Sequence, residues 1–136
     1  MQGKIIPISS AIEFRTSDWL NEENRERTLQ FLREKELGLV CVDEPQGFKS
    51  SVPALAEVTA SWGVVRFHGR NRDNWERKDI TVNEKFNYLY DEEELREWVA
   101  KIQQMAEKVA ELHIIFKNKH LDYAVKNARM MIKLLG

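Results

Sequence analysis

Val64-Val65-Arg66-Phe67-His68-Gly69-Arg70 is the stretch whose reading decides the fold. Successive side chains of a strand point to opposite faces, so Arg66 and His68 share one side while Val65 and Phe67 share the other. Burying an Arg and a His without partners is costly. The strand therefore has an apolar face for a core and a polar face that ends, at Gly69, in a long polar loop. The same alternation occurs at Ile12-Glu13-Phe14-Arg15, and Leu39-Val40-Cys41-Val42-Asp43 ends in a carboxylate. Strands that deliver ionisable groups at their C-terminal ends mark the place where parallel α/β proteins keep their sites.

Outward from this stretch the chain alternates between the two periods. Ala11 to Arg15 reads as a strand. Ser17 or Asp18 can cap a charged helix that carries Thr28, Leu29, Phe31 and Leu32 inward and runs to about Glu36, with Gly38 as its left-handed stop. Gly38 to Asp43 is the second strand, followed by an irregular crossover with at most a short helix after Pro53. Val64 to His68 is the third, followed by a loop of about twenty residues, a length usually reserved for functional or disordered segments. Asp91 with Glu94 forms a capping-box-like pair. Behind it Leu95, Trp98, Val99, Ile102, Met105, Ala106 and Val109 fall at helical spacing. Leu112 to Phe116 is the fourth strand, and Leu121, Val125, Ala128, Ile132 and Leu135 define the inner face expected of a last helix. Repeated β-α units imply a parallel sheet with right-handed crossovers. Four units are too few for an eight-stranded barrel of ~250 residues, which leaves a small open sheet or half a barrel.

The 136 residues, 43% hydrophobic and 32% charged, suit a single α/β domain over residues 1–136. A net charge of -1 argues against non-specific nucleic-acid binding as the main function. The single cysteine, Cys41, excludes an internal disulfide and reads as a buried structural thiol. The Met1–Pro7 start has no apolar run of signal-peptide length, and no later stretch is suited to span a membrane. A cytoplasmic protein is expected.

The same residues resemble the YecE-like family, a TIM-barrel group catalogued as a domain of unknown function. The motifs are Ile12-Glu13-Phe14-Arg15 with Trp19, Val42-Asp43-Glu44-Pro45, and Val65-Arg66-Phe67-His68-Gly69-Arg70. Tyr88-Leu89-Tyr90 then leads into Glu93-Glu94-Leu95, and Phe116-Lys117-Asn118 precedes Ala124-Val125 and Asn127-Ala128. The resemblance covers the family's C-terminal half, and the family's Gly- and Trp-rich opening segment has no counterpart here. Lys117 departs from the asparagine usual beside Asn118, and the 71–85 loop is longer and more charged than the family pattern. The resemblance implies four β-α units of a TIM-barrel-like parallel sheet, a half barrel, with a site at the C-terminal mouth. It supplies no reaction.

Glu13, Arg15, Asp43, Arg66 and His68 are expected to converge at that mouth. Arg15 and Arg66 can clamp an oxyanion through forked hydrogen bonds, and His68 can move a proton near neutral pH. Glu13, Asp43 and His68 are the catalytic candidates, and Arg15, Arg66, Arg70, Tyr88, Lys117 and Asn118 the substrate-binding ones. The alternative is a structural ion network in which Glu13 neutralises an Arg and Asp43 holds His68. Glu13, Asp43 and His68 are admissible ligands for a transition ion, but no paired-ligand spacing supports one and two nearby arginines repel a cation, so no metal is expected; no cofactor is expected either. Trp75 among Arg72, Arg77 and Lys78 suits a stacked base of a nucleic acid, although the mixed charges there favour a lid over the barrel. The expected ligand is therefore an anionic or phosphorylated small molecule, with nucleic acid as the alternative. An interaction role without chemistry is the third reading, and hydrolase or lyase activity is expected only of a completed barrel. Edge strands rich in Ile, Phe and Leu predict a homo-oligomer or a complementary half-barrel chain.

Overall fold

A computed structural model describes residues 8–136, so the Met1–Pro7 reading lies outside the described residues. Among the described residues eight elements carry the fold: β1 (Ala11–Ile12), α1 (Arg25–Glu34), β2 (Gly38–Asp43), β3 (Trp62–Phe67), α2 (Val82–Lys85), α3 (Glu92–Lys108), β4 (Glu111–Phe116) and α4 (Tyr123–Leu135). All strand pairs are parallel, and the sheet order is β1-β2-β3-β4. Strands that follow their sequence order have no reversal point of the kind that doubly wound sheets place at their ligand crevice. This is the progression of a barrel wall.

The two sheet faces separate as the alternation requires. Phe67 stacks on Phe116 at 4.6 Å and meets Tyr90 and Trp98 edge-on, each at 5.5 Å. Leu95, Trp98, Ile102 and Met105 of α3 are buried in the core that contains Val65 and Phe67. Arg66 and His68, on the opposite face, meet Glu13 instead. The α3 start follows its sequence signal: Asp91 accepts from the Glu94 amide at 2.8 Å while Glu94 accepts from the Asp91 amide at 2.9 Å.

Several expectations are corrected. β1 ends at Ile12 rather than Arg15, because Phe14 swings to stack on Trp19 at 5.4 Å and Glu13 is drawn to cationic partners. The expected helix from Ser17 is a single 3-10 turn, Ser17–Trp19, and α1 starts only at Arg25. Neither Ser17 nor Asp18 caps α1; Asn24 occupies that position and ties its amide to the Asp18 carbonyl at 2.8 Å. Thr28, Leu29 and Leu32 are buried as expected, whereas Phe31 is half exposed. The left-handed residue after α1 is Glu36, with φ 55°, and Gly38 instead opens β2.

The crossover after Pro53 contains no helix among the described residues. It is held in an irregular path by the Thr59 hydroxyl on the Leu37 carbonyl at 2.6 Å and the Cys41 thiol on the Glu57 carbonyl at 3.3 Å. Conversely, the long loop contains α2, capped by the Thr81 hydroxyl. The face of α4 is rotated from the expected one. Asn127 and Met131 are buried, while Val125 and Ile132 are 54% and 69% exposed and Leu121 lies before the helix. Asn127 is buried because its side chain bonds both the amide and the carbonyl of Tyr90, at 3.0 and 2.9 Å.

Candidate functional site

The residues that follow the strands form two clusters on opposite faces of the sheet. On the face away from the helices, Glu13 Oε1 accepts from Arg66 Nη1 at 2.7 Å and lies 3.4 Å from His68 Nε2. Arg15 Nη2 approaches Glu13 Oε2 to 2.8 Å as an ion pair that lacks hydrogen-bond alignment. Burial opposes the charge on Glu13, yet hydrogen bonds and charge from His68 and Arg66 hold its carboxyl down at about 2. Burial pushes His68 the other way, below its ordinary value, against the pull of Glu13. His68 is 3% exposed. A carboxylate at Nε2 favours the proton there, leaving Nδ1 as an acceptor, and Nδ1 is buried without a partner.

His68 borders a cavity of about 180 Å³ together with Arg15, Glu44, Ser50, Trp75, Lys85 and Phe86. Trp75 donates its indole N–H to Ser50 Oγ at 3.1 Å and packs edge-on to Phe86. Phe86 carries two ammonium groups on its ring, Lys85 at 5.6 Å and Lys117 at 4.8 Å. Burial lowers the Lys117 ammonium, and the charges of Arg66 and Arg15 lower it further. The mouth therefore carries an excess of positive charge that its own carboxylates do not neutralise.

Asp43 belongs to the other cluster, and its expected convergence with Glu13 and His68 is corrected. In the parallel register Asp43 pairs with Phe67 and Val42 with Arg66, so Asp43 points toward the helices. There it accepts from Arg70 at 2.9 and 2.7 Å, from the Tyr90 hydroxyl at 2.7 Å and from the Trp98 indole at 2.8 Å. Glu13, not Asp43, holds His68. Arg70 also reaches Glu94 and Glu97, Tyr88 donates to Glu94 at 2.5 Å, and Asn118 bonds the Tyr88 carbonyl and Asn127. Gly69 lets the chain cross between the clusters: its φ is +93°, and a Cβ there would lie 2.9 Å from that of Tyr88. Of the sequence-derived candidates, Glu13, Arg15, Arg66, His68 and Lys117 share the open face, whereas Asp43, Arg70, Tyr88 and Asn118 form the helix-side network.

Glu44, Lys85 and Phe86 also lie at the mouth and are not among the sequence-derived site candidates, although Glu44 belongs to the Val42-Asp43-Glu44-Pro45 motif. Strand alternation carries a signal for Glu44: it lies two residues after Val42, which pairs with Arg66, and so shares that face. Glu44 is 7% exposed, and its Oε1 accepts from the Val52 amide at 2.7 Å. Burial, aided by the charge of Glu13 and offset by that amide, pushes its carboxyl up to about 7.

A parallel barrel-wall sheet with an ionisable cluster at its C-terminal mouth defines the class. The family described as "Protein of unknown function DUF72" matches residues 4–136, and the chain belongs to it. The chain is 32% identical over 133 residues to the UPF0759 protein YunF of Bacillus subtilis, covering 94% of this chain and 47% of that protein. A crystal structure of a DUF72 family protein from Enterococcus faecalis matches with a TM-score of 0.86 at 32% identity, over 94% of this chain and 47% of that one. One from Thermotoga maritima matches with a TM-score of 0.82 at 33% identity, over 95% and 46%. The chain thus spans about half the length of the relatives it matches.

Proposed function

We propose that the C-terminal mouth of the strands binds an anionic or phosphorylated small molecule, with Arg15, Arg66 and Lys117 as its cationic contacts. The observation that carries this reading is the gathering of four cationic side chains, Arg15, Arg66, Lys85 and Lys117, around the two carboxyls Glu13 and Glu44. An oxyanion relieves the repulsion among them and accepts from the forked donors. Glu13 and His68 give the site a carboxylate-imidazole pair able to shift a proton. Hydrolase or lyase chemistry belongs to this reading only with the rest of a barrel in place. The nucleic-acid alternative needs Trp75 as a stacking platform, and Trp75 is buried and bonded to Ser50.

Sulfate or phosphate at low millimolar concentration should raise the melting temperature. Saturation at ten times Kd gives about 1.4 kcal/mol, roughly 5 °C for a chain of this size. Arg66→Met keeps the stem volume and should abolish the rise. An unchanged rise in that variant would move the anion to Lys117 and Lys119.

The chain corresponds, in this reading, to the C-terminal half of the family barrel, and its partner is a complementary set of four β-α units. Its support is the half-length match and, among the described residues, the unpaired outer edges of β1 and β4. Ile12, Phe14, Trp19, Phe31, Leu32 and Leu37 line an apolar groove at the β1 end, and Val125 and Ile132 are exposed on α4. Sedimentation of dilute protein checks this: self-association or capture of such a unit is expected, and a stable monomer that ignores it contradicts the pairing. The free, buried Cys41 suits a reducing compartment, so a cytoplasmic location is part of the proposal.

A further inference from the structure

Glu44 is a buried carboxyl with one oxygen committed and the other free. Oε1 accepts the Val52 amide, and among the described residues Oε2 has no hydrogen-bond partner. Both Glu44 and His68, whose Nδ1 has no partner, border the same cavity, which Arg15 and Lys85 also line. The charged groups around Glu44 are Glu13 and Arg15 after β1, His68 after β3 and Lys85 on α2. Asp43 is adjacent in the chain but committed to Arg70, and Arg70, Arg72 and Glu97 line the neighbouring cavity that Glu44 also borders.

Resting on the anion-site reading, we propose that Glu44 carries a proton into this cavity when a small oxyanion binds, its neutral carboxyl donating from Oε2 to a ligand oxygen beside Arg15 and Lys85. An ionised Glu44 would set a second carboxylate against the ligand, whereas a neutral one adds a donor. His68 Nδ1, an acceptor at neutral pH, is left for a hydroxyl on the same ligand. The ligand class selected is an oxyanion that also bears a hydroxyl, such as a phosphate monoester in its monoanionic form. The raised carboxyl of Glu44 supports this assignment, because it places the neutral form within reach of physiological pH.

Sulfate is the probe, since it does not itself titrate between pH 6 and 9. In the wild-type chain its Kd should rise by up to tenfold per pH unit above about 7, the limit for one coupled proton. Glu44→Gln retains an acceptor for the Val52 amide and a donor at the other position, so its Kd should stay flat from pH 7 to 9. Calorimetry of the unaltered chain at pH 8, in buffers of different ionisation enthalpy, should show proton uptake on sulfate binding. Sulfate binding without pH dependence or proton uptake overturns the role of Glu44 and leaves the anion site standing. So does a slope that survives in Glu44→Gln. A slope only below pH 6.5 would assign the proton to His68 instead. No sulfate binding at any pH overturns the anion site itself.

Discussion

Asp43 and Glu44 are neighbours in the chain and opposites in the molecule. The Asp43 carboxylate meets Arg70, Tyr90 and Trp98, with hydrogen-bond donors on both oxygens. Glu44 meets one backbone amide and faces a cavity where His68 Nδ1 has no partner. A buried polar network is stabilising when it is fully satisfied, and groups left unsatisfied at a cavity need another explanation. The contrast separates a carboxylate that holds the fold from a cluster whose free polar groups are, in our proposal, left for a bound oxyanion.

The largest effect should come from the satisfied side. Asp43→Ala strands the Arg70 guanidinium, the Tyr90 hydroxyl and the Trp98 indole, and should lower unfolding stability by about 3–5 kcal/mol. Urea unfolding measures it. A loss below ~1 kcal/mol with anion binding gone would erase the distinction between the clusters.

The two open-face carboxylates should differ in the pH dependence they impose. The Glu44 carboxyl is raised from 4.5 to about 7, so the folded chain binds its proton more tightly than the unfolded chain does. Its contribution to stability is full below pH 4.5 and is lost as pH rises through 7, a change on the order of 3 kcal/mol. Glu44→Gln should flatten that part of the stability profile. Glu13 has the opposite sign: its carboxyl is held at about 2, so its contribution is present above 4.5 and lost as pH falls toward 2. Glu13→Gln should cost roughly 1–2 kcal/mol at neutral pH, while the freed Arg66 should tighten sulfate binding. Chemical denaturation across pH checks both signs, and equal slopes would merge the two roles.

Much of this contrast was legible in the sequence, and the part that was not has a physical cause. Alternation alone assigned Arg66 and His68 to one face and Phe67 to the other, because strand period is local. The capping pair Asp91 and Glu94 is equally local. Asp43 went to the wrong cluster because its face depends on register against β3, a relation between distant segments. The face of α4 departs from its hydrophobic spacing for a related reason. Val125 and Ile132 share helical spacing with core residues, yet the buried position went to Asn127, whose amide satisfies Tyr90 across 37 residues. Hydrophobicity could not reveal that a polar side chain was needed there.

The smallest effect should come from the exposed α4 residues. Val125→Lys should change the stability of the isolated chain by no more than ~0.5 kcal/mol and should weaken association with a complementary half-barrel unit. Light scattering with and without that unit separates the two effects.

One nitrogen-15 NMR titration sets the two clusters against each other directly, with phosphate added to the labelled chain at pH 7.5. The His68 imidazole nitrogens should begin as the Nε2–H tautomer with a free Nδ1, and the Nδ1 resonance should move on addition. The Trp98 indole N–H, bonded to Asp43 at 2.8 Å, should stay where it is. A moving Trp98 indole beside unmoved His68 nitrogens would contradict the account and assign the ligand to the network read here as structural.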